Sequence, residues 1–255
     1  APISAMNVVR KHLSLVKGGQ LAAAAHPARM LALMISDIPG DEMALIGSGP
    51  TVGDASTPQE ALALLARWQV TVPASVTAAL AAGSGVLRPD DPRLATVENR
   101  IIAAPSQSLA AAQVLAEAAG CQVHLLGDAL EGEAREVAAQ QAAGARAIAA
   151  TLARGAAPVV LMSGGELTVT RRGNGVGGPN AEFCLALALH LHGYERIHAL
   201  ACDTDGVDGA AEVAGALVMP DTLARSRRDA AEALARNDAH SFFAAPCDHP
   251  ITQRG

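Results

Sequence analysis

The sequence predicts an α/β fold of two domains, each a mainly parallel sheet layered with helices, the second with an added antiparallel hairpin. Three observations carry this. The 255 residues are 50% apolar, enough to fill one large core or two smaller ones. Aromatic residues make up only 2%, so the interior must rest on Ala, Leu, Val and Ile, which suits helices packed closely on a sheet. From about residue 96 onward, short apolar runs alternate with helical stretches of about ten residues or more, the pattern of right-handed βαβ crossovers.

In chain order, the segment 3–25 sets Met6, Val9, Leu13 and Val16 at helical spacing and predicts a helix ending near Gly18 and Gly19. Met30 to Ile35 reads as a strand emptying into the polar turn Ser36-Asp37-Ile38-Pro39-Gly40-Asp41. Thr57, Pro58 and Glu60 make a capping box ahead of the apolar helix Ala61 to Trp68. The proline-broken stretch Arg88-Pro89-Asp90-Asp91-Pro92 is the best linker candidate, which places the domains at 1–95 and 96–255. Beyond it, strands are expected at 100–104, 121–126 and 158–162, with helices at 108–119 and 132–153 closed by Gly120 and Gly155. Leu167 and Val169 alternate with Thr168 and Thr170, so an amphipathic strand follows a tight turn at Ser163-Gly164-Gly165-Glu166. The glycine loop Gly173 to Gly178 leads into a helix at 181–191, then a buried strand at 197–202. A last helix at 222–236 starts from Asp221 as its N-cap.

Charge and composition narrow the function classes. The net charge is -6 and the pI about 5.7, with no basic run and few aromatic rings to stack on bases, which argues against nucleic acid. No uninterrupted apolar stretch reaches the roughly 18 residues a membrane span needs. Cys121, Cys184, Cys202 and Cys247 show no CxxC spacing and are expected as buried, reduced thiols of a cytoplasmic protein. Neither end reads as a natural terminus, and an upstream portion is expected.

Ligands of open parallel sheets collect beyond the carboxyl ends of strands, and three loops fit that position. Asp37 and Asp41 bracket a Pro-Gly turn and could face a ligand or simply form a solvated turn. Ser163, Gly164 and Gly165 could present backbone N–H groups to an anion, or form a hairpin turn. A hydrolase is disfavoured because the G-x-S-x-G elbow is missing. Asp203, Asp205 and Asp208 cluster hard oxygen ligands suited to Mg²⁺ or Ca²⁺. Ala214 at the position needing a glutamate argues against a calcium loop, and an Asp-rich structural turn stands equally. Gly173, Gly175 and Gly178 match G-x-G-x-x-G, although Pro179 and Asn180 at the following helix start disagree with a dinucleotide fingerprint. Arg10, Lys11 and Lys17 could meet phosphates. His12, His26, His240, Cys247 and His249 show no metal spacing and are expected at the surface or in the tail.

The stretches MNVVRKHLSLVKGGQLA, ISDIPGDEMALIGSGPTVGD, GEAREVA, VVLMSGGELTVTRRGNGVGGPNAEF, ACDTDGVDGAAEVAGALV and ALARND run in order from about residue 6 to residue 243. Together they resemble the glycerate 2-kinase family, whose C-terminal part is called MOFRL, here about 157–243, and whose members are also named hydroxypyruvate reductases. The resemblance implies transfer of the γ-phosphate of ATP to the 2-hydroxyl of D-glycerate, with Mg²⁺, in a cleft between two α/β domains. It implies a cytoplasmic enzyme handling a small hydroxy acid and a nucleotide, with a homodimer as one expected assembly. Read onto this chain, Lys11, Asp37 and Asp205 would be catalytic. Arg10, Lys17, Ser163, Gly164, Gly165 and Glu166 would hold substrate or nucleotide, and Asn180 and Glu182 would fix the glycine loop. Asp41, Asp203 and Asp208 would hold the metal. The sequence departs from the family at Val176 and Pro179, where arginines are common, in the absence of the family's first portion, and after Phe243. Two other readings stay open: an NAD(P)H-dependent hydroxypyruvate reductase, and a non-catalytic ligand- or metal-binding fragment.

Overall fold

A computed structural model describes residues 3–36, 38–209 and 211–250. The chain divides into two compact units, residues 1–112 and 113–255.

The first unit holds α1 (Ile3–His12), α2 (Gln20–Ala25), β1 (Met30–Ile35), α3 (Pro58–Arg67), α4 (Ala74–Ala82) and β2 (Val97–Ala103), and α5 (Pro105–Ala118) crosses the division. β1 and β2 pair in parallel, with Met30 beside Val97 and Met34 beside Ile101. The predicted capping box is present at α3: the Glu60 N–H donates to Thr57 Oγ1 at 3.2 Å and the Thr57 N–H to Glu60 Oε2 at 2.7 Å. The single opening helix is not. α1 stops at His12, and Gly18 and Gly19 take left-handed φ of +61° and +79°, a region glycine enters without strain. Their N–H groups donate to the carbonyls of Ser48 and Gly49 at 3.1 and 2.9 Å, which ties the turn to loop 47–56 and leaves Leu13 and Val16 exposed. Helical spacing continued through these residues, but the glycine pair bends the chain before the face can be used.

The second unit adds β3 (Gln122–Leu125), β4 (Leu130–Glu133), α6 (Ala134–Thr151), β5 (Val159–Met162), β6 (Gly165–Thr168), α7 (Pro179–Leu191), β7 (Ala199–Cys202), β8 (Gly215–Val218), α8 (Thr222–Arg225), α9 (Ala230–Ala235) and α10 (Ala239–Ala244). β3 pairs with β5 and β4 with β6, both in parallel, while β7 and β8 are antiparallel. The tight turn expected at 163–166 therefore does not fold back as a hairpin. The Gly164 N–H donates to the Gly127 carbonyl at 2.9 Å and Gly164 O accepts from the Leu130 N–H at 3.0 Å, so the chain crosses from one sheet to another. Gly165 has φ +148°, and a Cβ there would lie 2.1 Å from Leu130 O.

α7 is the centre of this unit. Every residue from Ala181 to Ala188 is buried, the mark of a helix enclosed on all sides. Ala134, Ala138 and Ala142 of α6, spaced four apart and at most 1% exposed, belong to the same core as α7, which explains the alanine bias. Phe242 and Phe243 close the core with rings edge to face at 5.4 Å.

Two further expectations are corrected. The last helix is two: α9 has its own N-cap, Asp229, whose carboxylate accepts from the Glu232 N–H at 2.8 Å, whereas Asp221 makes no such bond. Of the thiols, Cys184 is buried but Cys202 and Cys247 are exposed. Among the described residues no helix is long and apolar enough to cross a membrane. Phe242 is fully buried, so Phe242→Ala is expected to cost about 3–5 kcal/mol, read as a shifted midpoint in urea unfolding.

Candidate active site

In the second unit the loop after β7 folds onto the start of α7. Gly178 is the N-cap of α7 and offers no side chain, and Pro179 has no N–H, so the N–H groups of Asn180 and Ala181 need outside acceptors. Asp208 supplies them. Its carboxylate accepts from Asn180 N at 3.0 Å, Asn180 Nδ2 at 3.3 Å and Ala181 N at 2.8 Å, and His240 Nε2 lies 3.1 Å from Oδ2 and 3.0 Å from the Asp208 carbonyl. Burial pushes this carboxyl upward, but the His240 contact and the two backbone donors outweigh it and leave its pKa below the usual carboxylate value. Asp208 is 0% exposed and both oxygens are taken by protein donors, so it closes a helix and has no free side for a cation. His240, expected in the tail, is buried because it completes this arrangement.

A second network holds the glycine loop. Glu182 accepts from Arg135 Nε at 2.6 Å and Asn237 Nδ2 at 2.9 Å, and Asn237 Oδ1 accepts from the N–H groups of Arg172 and Gly173 at 2.7 and 2.9 Å. The loop lies directly on the segment 236–239. A Cβ at Gly173 would sit 2.4 Å from Arg236 O, one at Gly175 2.4 Å from Asp238 Cβ, and one at Gly178 2.4 Å from Asp208 Cγ. The glycines are there so that protein backbone can approach protein backbone.

Asp203 is half-buried and Asp205 exposed. Asp205 Oδ1 accepts from the Val207 N–H at 2.8 Å, and Asp203 Oδ1 from the Asp205 N–H at 3.5 Å, while among the described residues no hydrogen-bond donor meets their Oδ2 atoms. This fits Mg²⁺, which is commonly held by one or two carboxylates and completed by phosphate oxygens and water. Among the described residues no group of three or more His, Cys, Asp or Glu forms a cage for a metal. Ser163 accepts from Gln141 Nε2 at 3.3 Å, Glu166 is exposed on β6, and the Gly164 N–H is committed to Gly127.

In the first unit Lys11 is buried, 2% exposed, and its Nζ is ion-paired with Asp54. Asp54 also accepts from the Ser56 hydroxyl, and from the Ser56 N–H at 2.8 Å. His12, also expected at the surface, is 5% exposed, with Nδ1 2.6 Å from Ser84 Oγ and Nε2 3.1 Å from Ser56 Oγ. Because Ser56 donates to Asp54, the network assigns Nε2–H as donor to Ser56 and Nδ1 as acceptor from Ser84. Burial lowers the His12 pKa against the pull of Asp54 and Glu60, in keeping with a neutral ring. Arg10 is exposed and donates to Asn7 Oδ1 at 3.3 Å, and Lys17 donates to Gly47 O at 2.6 Å. Asp41 has a buried Oδ1 without a partner among the described residues, and its Oδ2 accepts from Ser106 Oγ at 3.5 Å. Asp37 lies outside the described residues.

Sequence reasoning missed Arg135, Asn237, His240, Asp54 and His12. Asn237, Arg135, Asp54 and His12 lie inside the stretches ALARND, GEAREVA, ISDIPGDEMALIGSGPTVGD and MNVVRKHLSLVKGGQLA, whereas His240 lies in none of them. For Asp208→Asn, loss of the charged cap is expected to destabilise the protein by about 1–3 kcal/mol at neutral pH. The folded-state pKa is depressed, so this contribution is present above the ordinary carboxylate pKa and lost as pH falls through the folded value. Urea melts of both proteins between pH 7 and pH 3 should therefore converge toward acid.

Residues 1–81 match a domain of unknown function, DUF4147, and residues 159–253 the MOFRL family. The chain is 46% identical to an Agrobacterium vitis protein provisionally named a hydroxypyruvate reductase, covering 99% of this chain and 58% of that protein. It is 35% identical to a glycerate kinase of Macaca fascicularis, covering 95% of this chain and 72% of that one. The crystal structure of a glycerate kinase from Thermotoga maritima superposes over 100% of this chain and 61% of its own length, with TM-score 0.87 and 31% identity. The chain thus spans from somewhat over half to about seven tenths of the length of these proteins, and a glycerate kinase 35% identical to it is covered over 72% of its length: the chain belongs to the glycerate kinase family.

Proposed function

We propose that the chain is part of an enzyme that transfers the γ-phosphoryl group of ATP to the 2-hydroxyl of D-glycerate with Mg²⁺. The names carried by its relatives offer two chemistries, phosphoryl transfer and hydroxypyruvate reduction. One observation favours the first. In a dinucleotide fingerprint the glycines are small so that a pyrophosphate can approach the backbone; here that space over Gly173, Gly175 and Gly178 is filled by Arg236, Asp238 and Asp208. A dinucleotide would find protein where its phosphates belong.

Phosphoryl transfer asks for positioning and charge neutralisation more than for covalent chemistry. Asp203 and Asp205 would hold Mg²⁺, which supplies charge to the transferring phosphate oxygens. Arg10 and Lys17 keep exposed or half-exposed cationic heads that suit a carboxylate or phosphate. Lys11 and Asp208 serve through the parts they hold, loop 47–56 and the start of α7. Asp37 and Asp41 are assigned to the same chemistry from the family resemblance.

The test is a coupled assay for 2-phosphoglycerate on the protein carried to full family length, with ATP, Mg²⁺ and D-glycerate. Product supports the kinase; no product, with NADH binding seen by fluorescence, overturns it in favour of the reductase. Asp205→Asn keeps the Oδ1 acceptor for Val207, so its fold should survive within about 0.5 kcal/mol while kcat falls on the order of a hundredfold.

A further inference from the structure

The acidic loop 203–209 is held at its two ends. On entry the Asp203 N–H donates to the Ala214 carbonyl at 2.7 Å, and on exit the Asp208 N–H donates to the Val213 carbonyl at 2.8 Å. Between these points the loop bonds to itself. The Gly206 N–H donates to the Asp203 carbonyl at 3.3 Å, and Asp203 Oδ1 and Asp205 Oδ1 each accept from the N–H two residues on. The places of the Asp203 and Asp205 carboxylates are therefore inherited from what holds Asp208 and Ala214.

The C-terminal stretch 246–250 supports both. Pro250 O accepts from the Ala214 N–H at 3.0 Å and Asp248 O from the Leu217 N–H at 2.9 Å, so Ala214 is bonded to this stretch through its N–H and to Asp203 through its carbonyl. At the other end His240 Nε2 is shared between Asp208 Oδ2 and the Asp208 carbonyl. Both are acceptors, so Nε2 carries the hydrogen and, in the neutral ring, Nδ1 accepts. His249 Nε2 lies 3.4 Å from that Nδ1 and supplies the hydrogen, the two ring centroids being 5.3 Å apart. A histidine whose far nitrogen is engaged in this way keeps one tautomer and one ring orientation.

The stretch has its own anchor, away from the loop. Asp248, 6% exposed, accepts from Arg225 Nη2 at 2.9 and 2.7 Å and from Thr222 Oγ1 at 3.1 Å. Arg225 Nη1 also donates to the Pro246 carbonyl at 3.1 Å, and Thr222 is buried at the start of α8. Ion-paired hydrogen bonds of this kind are roughly twice as strong as neutral ones. The stretch is thus fixed on α8 while it reaches the supports of the loop at both ends.

We propose that residues 246–250 act as a positioning strap for the acidic loop: His249 acts through His240 and Asp208, Pro250 acts through Ala214, and together they set where Asp203 and Asp205 hold their carboxylates. That the carboxylates so placed receive Mg²⁺ rests on the kinase reading. The strap stands on the contacts themselves.

The experiment compares wild type, His249→Ala, His240→Leu, His240→Gln and Asp248→Asn, each carried to full family length, by amide hydrogen exchange and by titration with Mn²⁺ followed by electron paramagnetic resonance. His249→Ala leaves the bonds of Asp208 to α7 and the Asp248 anchor in place, which protects the fold. Gln at position 240 can still donate to both Asp208 acceptors through its amide, and Leu cannot. Exchange at the Asp208 amide is expected to quicken on the order of tenfold in His249→Ala and His240→Leu, to stay near wild type in His240→Gln, and to leave α6 unchanged. Asp248→Asn should quicken the Asp203 and Asp208 amides together. Mn²⁺ affinity should fall on the order of tenfold in His249→Ala, the size of effect seen when groups behind metal ligands are removed. Unchanged loop exchange, exchange that rises equally throughout the second unit, or Mn²⁺ bound as tightly by His249→Ala as by wild type overturns the strap. A protein whose loop exchange responds as expected but whose wild type binds no Mn²⁺ keeps the strap and refutes the metal assignment of the kinase reading; a protein that makes 2-phosphoglycerate while its loop exchange ignores these substitutions does the reverse.

Discussion

A single buried carboxylate determines how the second unit is put together. α7 starts on Gly178 and Pro179, a pairing that leaves its first donors without a partner of their own. Asp208, on a loop that follows the next strand, answers them, and its negative charge meets the positive end of the helix dipole and the ring of His240. Burying such a charge is unfavourable unless it is fully matched, so loop 203–209, α7 and α10 must all be in place together. Gly178 has to be glycine because the Asp208 side chain comes so near its Cα.

This division of labour separates three aspartates that look alike in the sequence. Asp208 is architecture. Asp203, half-buried, and Asp205, exposed, lie a few residues earlier on the same loop and each keep one carboxylate oxygen that meets no donor among the described residues. The same separation holds for the basic residues near the N-terminus, where Lys11 is locked on Asp54 while Arg10, one residue earlier, is exposed. Successive helical residues point about 100° apart, so neighbours in sequence divide naturally between core and surface.

The sequence made the fold legible where the signal is local. The strands at β1, β3, β5 and β7 and the capping box at Thr57 depend on neighbours within a few residues, and all were readable. β4 was not, because Leu-Glu-Gly-Glu has neither apolar continuity nor alternation and owes its pairing to β6. The broken opening helix and the divided last helix failed for a similar reason, since spacing persisted across residues whose backbone had other obligations. In the candidate site the acidic loop and the glycine loop were visible as patterns, but their contacts were not. His12 meets Ser84 and Ser56 across 72 and 44 residues, and no periodicity announces such partners. The glycine motif misled in one respect: glycine reports close approach, not what approaches.

The reach of the Asp208 contacts also bears on how the chain acquires its structure. Its partners lie 28 residues before it and 32 after it, and α7 carries no cap of its own. While the polypeptide is still collapsing, the first turn of that helix has Pro179 and Glu182 in its favour but no local side-chain acceptor for its first N–H groups, and it frays until Asp208 arrives. Long-range closures of this kind are slow relative to helix growth, so the central helix is completed late, and the segments on either side of it become ordered in the same cooperative step.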